Sequence, residues 1–200
     1  VAVITLNIHS SCPDLKTAVR NSAFQVGSIM TTTGFATTDF NLWPQISKTL
    51  LVILMFVGAC AGSTGGGMKV SRVVILFKSV HREIRRCLHP SSISKITMGE
   101  KTVPHEVVRS INVFVAAYAL VFALSVLLIG FDNLDFTTNF TAVAATLNNI
   151  GPGLELVGPT RNFAVFSDWS KLVMIFDMLA GRLEIFPLLI LFMRSTWKKF

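Results

Sequence analysis

The sequence predicts an all-α membrane protein. Of its 200 residues, 52% are apolar and only 14% are charged, whereas charged residues make up about 25% of soluble domains. Three stretches approach or reach the roughly 20 apolar residues that cross a bilayer as a helix. They are residues 46–60 resuming at 70–77, residues 107–131, and residues 169–197.

The composition excludes two other classes of protein. Disorder requires low hydrophobicity, and a nucleic-acid-binding module keeps a polar surface around its basic patch, so no nucleic-acid partner is expected. Cys12, Cys60 and Cys87 have neither metal-binding nor redox spacing. The chain begins at Val1 with no basic region before the first apolar run, so we expect no signal peptide and a start cut from a longer protein.

Two short helices are predicted between the long ones. Residues 1–8 are expected to end a helix that starts upstream, and residues 16–33 and 136–149 form helices too short and too polar to cross a bilayer. Each short helix ends in a glycine-bearing turn. A half-length helix followed by an extended glycine stretch is typical of a re-entrant pore loop, because such backbone is tolerated at membrane depth only when protein or water surrounds it.

The same plan occurs twice along the chain. Residues 1–105 and residues 106–200 each contain a short helix, a glycine turn and then an apolar helix that carries an Ala-Gly pair. Internal repeats are common in membrane transporters. We therefore expect helix–pore loop–helix repeats arranged around a central ion path.

The first long helix is interrupted by a glycine segment at residues 62–67. A phosphate-binding loop requires Gly-Lys followed by Ser or Thr after a strand, but here Lys69 precedes Val70 within an apolar stretch. Consecutive glycines sustain a helix poorly, each costing about 1 kcal/mol relative to alanine. The segment is interpreted as a gate below the pore loops, the alternative being a packing kink between helices.

The charge pattern predicts the orientation. Most of the basic residues lie between Lys69 and Arg109 or at the end of the chain, and the positive-inside rule makes both segments cytoplasmic. The pore loops then enter from the outer face.

The two glycine turns have the chemistry that a dehydrated cation needs. Backbone carbonyls of extended loops replace the hydration shell of the ion, and glycine permits the positive φ that such loops require. The predicted ion-binding residues are Thr32, Thr33, Gly34, Phe35, Asn149, Ile150, Gly151 and Pro152. The simpler interpretation is two ordinary glycine turns at helix ends.

Arg182 lies about midway along the last apolar stretch. A charge at that depth faces the interior of a bundle or a wet cavity, with Asp177, Glu184 or the carbonyls of the glycine segment as its partner. The spacing disfavours Glu184, since neighbours at i+2 do not share a helix face. In a cation path this positive charge is expected to be an electrostatic barrier to the ion, which gating would relieve. The alternative interpretation is a structural salt bridge.

Four motifs occur in order: TTTGF at 31–35, GACAGSTGGGMK at 58–69, ATLNNIGPG at 145–153 and GRLEIF at 181–186. On these motifs the chain resembles the Trk/Ktr/HKT superfamily of potassium transporters, closest to the TrkH/TrkG type of bacterial membrane subunit. The resemblance implies four pore repeats around one potassium path, of which residues 1–105 match the third and residues 106–200 the fourth. The chain is thus expected to be a C-terminal half.

The resemblance also implies roles for individual residues. The predicted ion-binding residues become strands of a selectivity filter that bind K⁺ through backbone carbonyls. The glycine segment becomes an intramembrane gating loop faced by an arginine. The gating residues implied are Gly62, Ser63, Thr64, Gly65, Gly66, Gly67, Lys69 and Arg182.

The function expected is potassium uptake across the bacterial inner membrane by a multi-pass protein that is not an enzyme and holds no cofactor, with K⁺ as its transported substrate. The resemblance implies these partners: membrane lipids, the missing N-terminal repeats, a second copy in a homodimer, and a cytosolic nucleotide-binding subunit of the TrkA type. The alternatives are a truncated, non-conducting scaffold or regulatory half-protein, and a soluble NTPase.

Overall fold

The structure is a computed structural model that describes residues 1–58, 63, 65–89, 96–99, 101–182 and 190. Helices dominate the described residues, joined by two pairs of two-residue strands. The helices are α1 Ala2–Ile8, α2 Leu15–Met30, α3 Gln45–Phe56, α4 Val70–Leu88, α5 His105–Ile129, α6 Phe136–Leu147 and α7 Asp168–Arg182. The strands are β1 Val57–Gly58, β2 Met68–Lys69, β3 Thr97–Met98 and β4 Lys101–Thr102.

The two predicted short helices are confirmed as α2 and α6. Helix α2 packs against α1 and α3, and helix α6 packs against α3, α5 and α7. Helix α6 is surrounded by other helices, whereas α2 is packed on one face and exposed on the other, for example at Phe24. In α6 most side chains are buried and many are small, among them Ala142, Ala144 and Ala145. Small residues let neighbouring helix backbones approach closely, which is how membrane helices gain packing energy.

The predicted break in the first long helix is confirmed, but it begins earlier than expected. The prediction of helix through residue 60 is wrong, because α3 ends at Phe56 and Val57 and Gly58 form β1. Strand β1 pairs in parallel with β2, and helix α4 resumes at Val70. The chain therefore leaves the helix at β1 and passes beside that exit point again at β2. Gly62 and Thr64 lie outside the described residues.

Helix α5 carries the strongest membrane signal. Among the described residues, 105–132 is the one stretch of helix long and apolar enough to cross a bilayer. One face of it is buried, including Phe114, Tyr118 and Ser125, while Leu127 on the other side is 68% exposed. The third predicted span is helical over α7 as far as Arg182, and its remainder, apart from residue 190, lies outside the described residues.

Two apolar clusters hold the helices together. The first joins α1, α2 and α3 through residues such as Ile8, Ile29 and Leu51. The second joins α5, α6 and α7 through Ile129, Val143 and similar residues. Each cluster includes residues of one of the short helices, so each glycine turn begins next to a packed core.

The N-terminus of α6 has a side-chain cap that α2 lacks. Asp135 Oδ2 accepts a hydrogen bond from the Thr138 N–H at 2.9 Å, whereas Asp14 before α2 makes no such bond. We expect Asp135→Ala to lower the free energy of unfolding by about 1 kcal/mol and Asp14→Ala to change it much less. Thermal denaturation of both variants in detergent measures the difference. Equal losses would contradict a capping role for Asp135.

Candidate functional site

The first glycine turn follows α2 and has a defined hydrogen-bond pattern. The Thr32 N–H donates to the Ile29 carbonyl at 3.1 Å, and the Thr33 N–H donates to the Ser28 carbonyl at 2.9 Å. This pair of bonds is the Schellman arrangement that ends a helix. It places Thr32 at a φ of 55°, a conformation that a β-branched residue rarely adopts.

The second turn repeats the pattern after α6. The Asn149 N–H donates to the Thr146 carbonyl at 3.0 Å, and the Ile150 N–H donates to the Ala145 carbonyl at 2.9 Å. Asn149 has a φ of 54°. In both turns a glycine with positive φ comes two residues later: Gly34 at 79° and Gly151 at 109°. The two stretches, residues 32–35 and 149–152, therefore share one backbone design.

After each turn the chain runs back along the helix that it has just left. Ser28 Oγ donates to the Phe35 carbonyl at 2.6 Å, so the first turn is tied to α2. On the second turn the Leu154 N–H donates to Thr141 Oγ1 at 3.0 Å, which ties the returning chain to α6. Helix, turn and returning strand thus form a hairpin in each half of the chain.

The two turns meet. The carbonyl oxygen of Ile150 occupies the space that a Cβ at Gly34 would need, and Pro152 Cδ lies 3.3 Å from the same point. Only glycine lets the two backbones come this close. An open cavity of about 490 Å³ borders both turns. Its lining includes Thr32, Thr33, Asn149, Ile150 and Gly151, together with α7 residues such as Met174 and Met178.

Each turn is also backed by a glycine from the following helix or strand. Gly181 of α7 lies so close to the Leu147 carbonyl that a side chain there would collide with it, and a Cβ at Gly58 would lie 2.7 Å from the Met30 carbonyl oxygen. Asn149 Nδ2 donates to the Met178 carbonyl at 3.0 Å, which fixes the second turn to α7. Gly58 therefore allows close backbone contact at the end of α2, as Gly181 does at the end of α6. This correspondence was not predicted from the sequence.

The glycine segment lies directly against the end of α6. A Cβ on Gly66 would collide with the Asn148 carbonyl, and a Cβ on Gly67, whose φ is 79°, would lie 2.8 Å from Asn148 Oδ1. The buried Tyr118 hydroxyl donates to that same Oδ1 at 2.8 Å. Asn148 is thus the link between the glycine segment, helix α5 and the second turn.

A small cavity of about 40 Å³ lies beside the glycine segment, and three cationic residues line it. Two belong to the chain just after the break and the third is Arg182 at the described end of α7. The lining comprises Ser63, Gly65, Gly67, Lys69, Arg72, Phe114, Tyr118, Ala180, Gly181 and Arg182. The Arg72 guanidinium lies 4.2 Å from the centre of the Phe114 ring, a distance typical of a cation–π contact.

The residues predicted to form the gate, as far as the structure describes them, therefore lie close together. Arg182 borders the glycine segment, as predicted from the sequence. Asp177, one of the partners considered for it, is fully buried and accepts a hydrogen bond from Ser125 at 2.6 Å instead. Glu184 lies outside the described residues.

An outer link between the two hairpins was not predicted. Asn41 Oδ1 accepts from the Glu155 N–H at 2.9 Å, and Asn41 Nδ2 donates to the Glu155 carbonyl at 3.3 Å. Lys48 lies 3.6 Å from the Glu155 carboxylate. Polar residues in loops carry no sequence signal for such pairing. A tyrosine buried in an apolar helix, such as Tyr118, does indicate a polar partner, here the buried Asn148 just after α6.

Helices packed around two meeting glycine turns, with one long apolar helix exposed on its outer side, are the features expected of a membrane transport protein. Residues 6–199 match the family model of TrkH, described as a cation transport protein, and the chain belongs to this family. The members of the family are transporters and not enzymes, and no cofactor is indicated for them.

Curated relatives match along the whole chain. The chain is 40% identical over 199 residues to the Trk system potassium uptake protein TrkH of Salmonella typhimurium, covering 100% of this chain and 41% of that protein. It is 36% identical over 190 residues to TrkG of Escherichia coli, covering 95% of this chain and 39% of that protein. The chain thus spans about two fifths of the length of these relatives, rather than the half that was expected.

A solved structure has the same fold. The crystal structure of the potassium transporter TrkH from Vibrio parahaemolyticus matches with a TM-score of 0.89 and 43% sequence identity. The match covers 98% of this chain and 42% of that one. The predicted helical membrane-transporter fold is therefore confirmed.

Proposed function

We propose that this chain supplies part of a potassium uptake pathway across the bacterial inner membrane. The observation that carries the proposal is the meeting of two turns with one backbone design, since a dehydrated cation is bound by carbonyls of extended loops held at fixed distance. The carbonyls proposed as K⁺ ligands belong to residues 32–35 and 149–152. Both turns are backed by packed helices, which gives the rigidity that selective binding requires. The names of the relatives, potassium uptake proteins, agree with this choice of ion.

The glycine segment is proposed as the gate. Gly66 and Gly67 lie against Asn148, immediately before the second turn, so a movement of this segment changes the space directly beside the ion path. Lys69 and Arg182 add positive charge to the small cavity there. A cation passing this point meets electrostatic repulsion that a displaced segment relieves. Gly62, Ser63, Thr64 and Gly65 complete the proposed gating loop.

The proposed arrangement is two pore repeats, residues 1–105 and residues 106–200, within a larger multi-pass protein. The chain covers about 41% of TrkH, so further repeats are proposed to close the path around the 490 Å³ cavity. The family resemblance favours a homodimer that associates with a cytosolic nucleotide-binding subunit of the TrkA type. K⁺ is the transported substrate in this proposal.

The test is complementation by the full-length protein that contains this chain. In a bacterium deficient in potassium uptake, we expect it to restore growth at low K⁺, whereas the same strain without it is expected not to grow there, with or without added Na⁺. Membrane insertion is checked by extraction in detergent. Failure to restore growth despite insertion would contradict a transport function and favour the scaffold interpretation. Rb⁺ flux into vesicles, measured for the full-length protein and the 200-residue chain, then tells which of them conducts.

A further inference from the structure

Helix α4 presents two different faces to its surroundings. Its buried residues are Ile75 and Ser79, and Ile75 packs in a cluster with Ile96, Val108 and Ile111 beside α5. The opposite face has no apolar cluster on it within the described part of the chain. This opposite face is an unused surface of an amphipathic helix.

The unused surface carries an apolar column. Its members recur at three-, four- and seven-residue spacings, which keep side chains on one side of a helix, and His81 lies on the same side between Phe77 and Ile84. They are Val70, Val74, Phe77, Ile84 and Leu88. Phe77 is 72% exposed and Leu88 is 71% exposed. The column runs the whole length of α4, from the glycine segment to the end of the helix.

A basic column runs beside the lower part of the apolar one. Lys78, Arg82, Arg85 and His89 follow the same four- and three-residue spacing. Lys78 Nζ donates to the Thr97 carbonyl at 2.6 Å, and Arg82 pairs with Glu83 at 3.0 Å in an exposed contact. Glu83 is the one acidic residue of α4. The column therefore retains a net positive charge.

The position of the basic column along α4 matches a membrane surface. Lys78 lies about 12 Å along the helix axis from Val70, at about 1.5 Å per residue, and half of a hydrocarbon core is about 15 Å thick. Since Val70 follows the break within the first predicted span, the basic residues are expected to reach headgroup depth as the helix approaches the cytoplasm. Long basic side chains place their charges at that level while their stems stay in apolar surroundings.

We propose that this face of α4 binds the headgroups of anionic phospholipids of the cytoplasmic leaflet. The apolar column contacts acyl chains, and the basic column contacts phosphates. A lipid fits better than an acidic protein, because the apolar column continues upward to Val70 and Val74, at a depth that a cytosolic partner does not reach. The proposal holds whether or not the chain conducts ions.

The experiment compares two neighbouring arginines in the full-length protein. Arg85 lies in the basic column, whereas Arg86, also exposed, lies about 100° further around the helix. Binding of phosphatidylglycerol and of phosphatidylcholine to each purified variant is measured by native mass spectrometry. One basic residue near an anionic surface contributes about 1 kcal/mol, so we expect Arg85→Gln to weaken phosphatidylglycerol binding about fivefold. Arg86→Gln is expected to have a clearly smaller effect, and phosphatidylcholine binding to stay unchanged in both.

Three results would overturn the proposal. Equal losses in the two variants would mean that total charge, and not the column, attracts lipid. Equal binding of the two lipids by the unsubstituted protein would remove the anionic preference. Unchanged lipid binding in Arg85→Gln together with loss of a co-purifying cytosolic protein would assign the face to a protein partner. Circular dichroism of each variant verifies that the helix content of the protein is unchanged.

Discussion

Replacing Gly34 with alanine is expected to abolish most of the potassium flux. Gly34 has a φ of 79°, and a Cβ there would occupy the position of the Ile150 carbonyl oxygen. The left-handed conformation alone costs a residue with a Cβ about 1–2 kcal/mol, and the collision adds to that cost. The strain is relieved by pushing apart the two turns proposed to hold the ion. Because about 1.4 kcal/mol is a factor of ten in rate, we expect Rb⁺ flux to fall at least about tenfold.

Gly27 offers a matched control for this substitution. It lies in α2, one turn before the end of that helix, and nothing comes within 4 Å of a Cβ built on it. Gly27→Ala is expected to leave flux nearly unchanged and to favour helix α2, since alanine is better in a helix than glycine by about 1 kcal/mol. Both variants are compared in vesicles by Rb⁺ and Na⁺ flux. Normal flux in Gly34→Ala would rule out a role for the meeting of the turns in ion passage.

The short helices and their turns were predictable because their causes are local. Spacing of apolar residues limited α2 and α6 to half-length helices, and a glycine after each of them marked the place where φ becomes positive. The observed bounds, Leu15–Met30 and Phe136–Leu147, lie within a few residues of those expected. Even so, the left-handed residues that begin the two turns are Thr32 and Asn149. A threonine was not expected in this position, because β-branched residues rarely adopt a positive φ.

Contacts between distant parts of the chain were not predictable. Helix α3 ends at Phe56 and not at residue 60, because Gly58 is needed where the chain passes the Met30 carbonyl. The Tyr118–Asn148 and Asn41–Glu155 hydrogen bonds join residues far apart in sequence. Glycine-rich composition indicated that the segment at 62–67 leaves the helix, but only the fold places it against Asn148. Periodicity describes one element at a time, whereas these contacts depend on how elements are arranged.

Removing the charge of Arg182 is expected to increase potassium flux. Arg182 borders the same small cavity as Lys69 and Gly67, and the glycine segment at this cavity touches Asn148 just before the second turn. Two unit charges about 10 Å apart at an effective dielectric constant of about 20 repel by roughly 1.7 kcal/mol. Loss of that repulsion corresponds to a rise in rate of more than about tenfold. We therefore expect Arg182→Gln to raise the rate of Rb⁺ entry into vesicles.

Arg109 provides the comparison that separates a local barrier from a general effect of charge. It is an exposed arginine on α5, in the part of the chain that the charge pattern assigns to the cytoplasmic side, so Arg109→Gln makes the same change in net charge away from the cavity. Flux through this variant is expected to match that of the unsubstituted protein. If Arg182→Gln conducts no faster than Arg109→Gln while both remain monodisperse in detergent, then Arg182 and the glycine segment merely pack the helices together. A selective rise instead means that the charge beside the glycine segment controls the passage of the cation past the two turns.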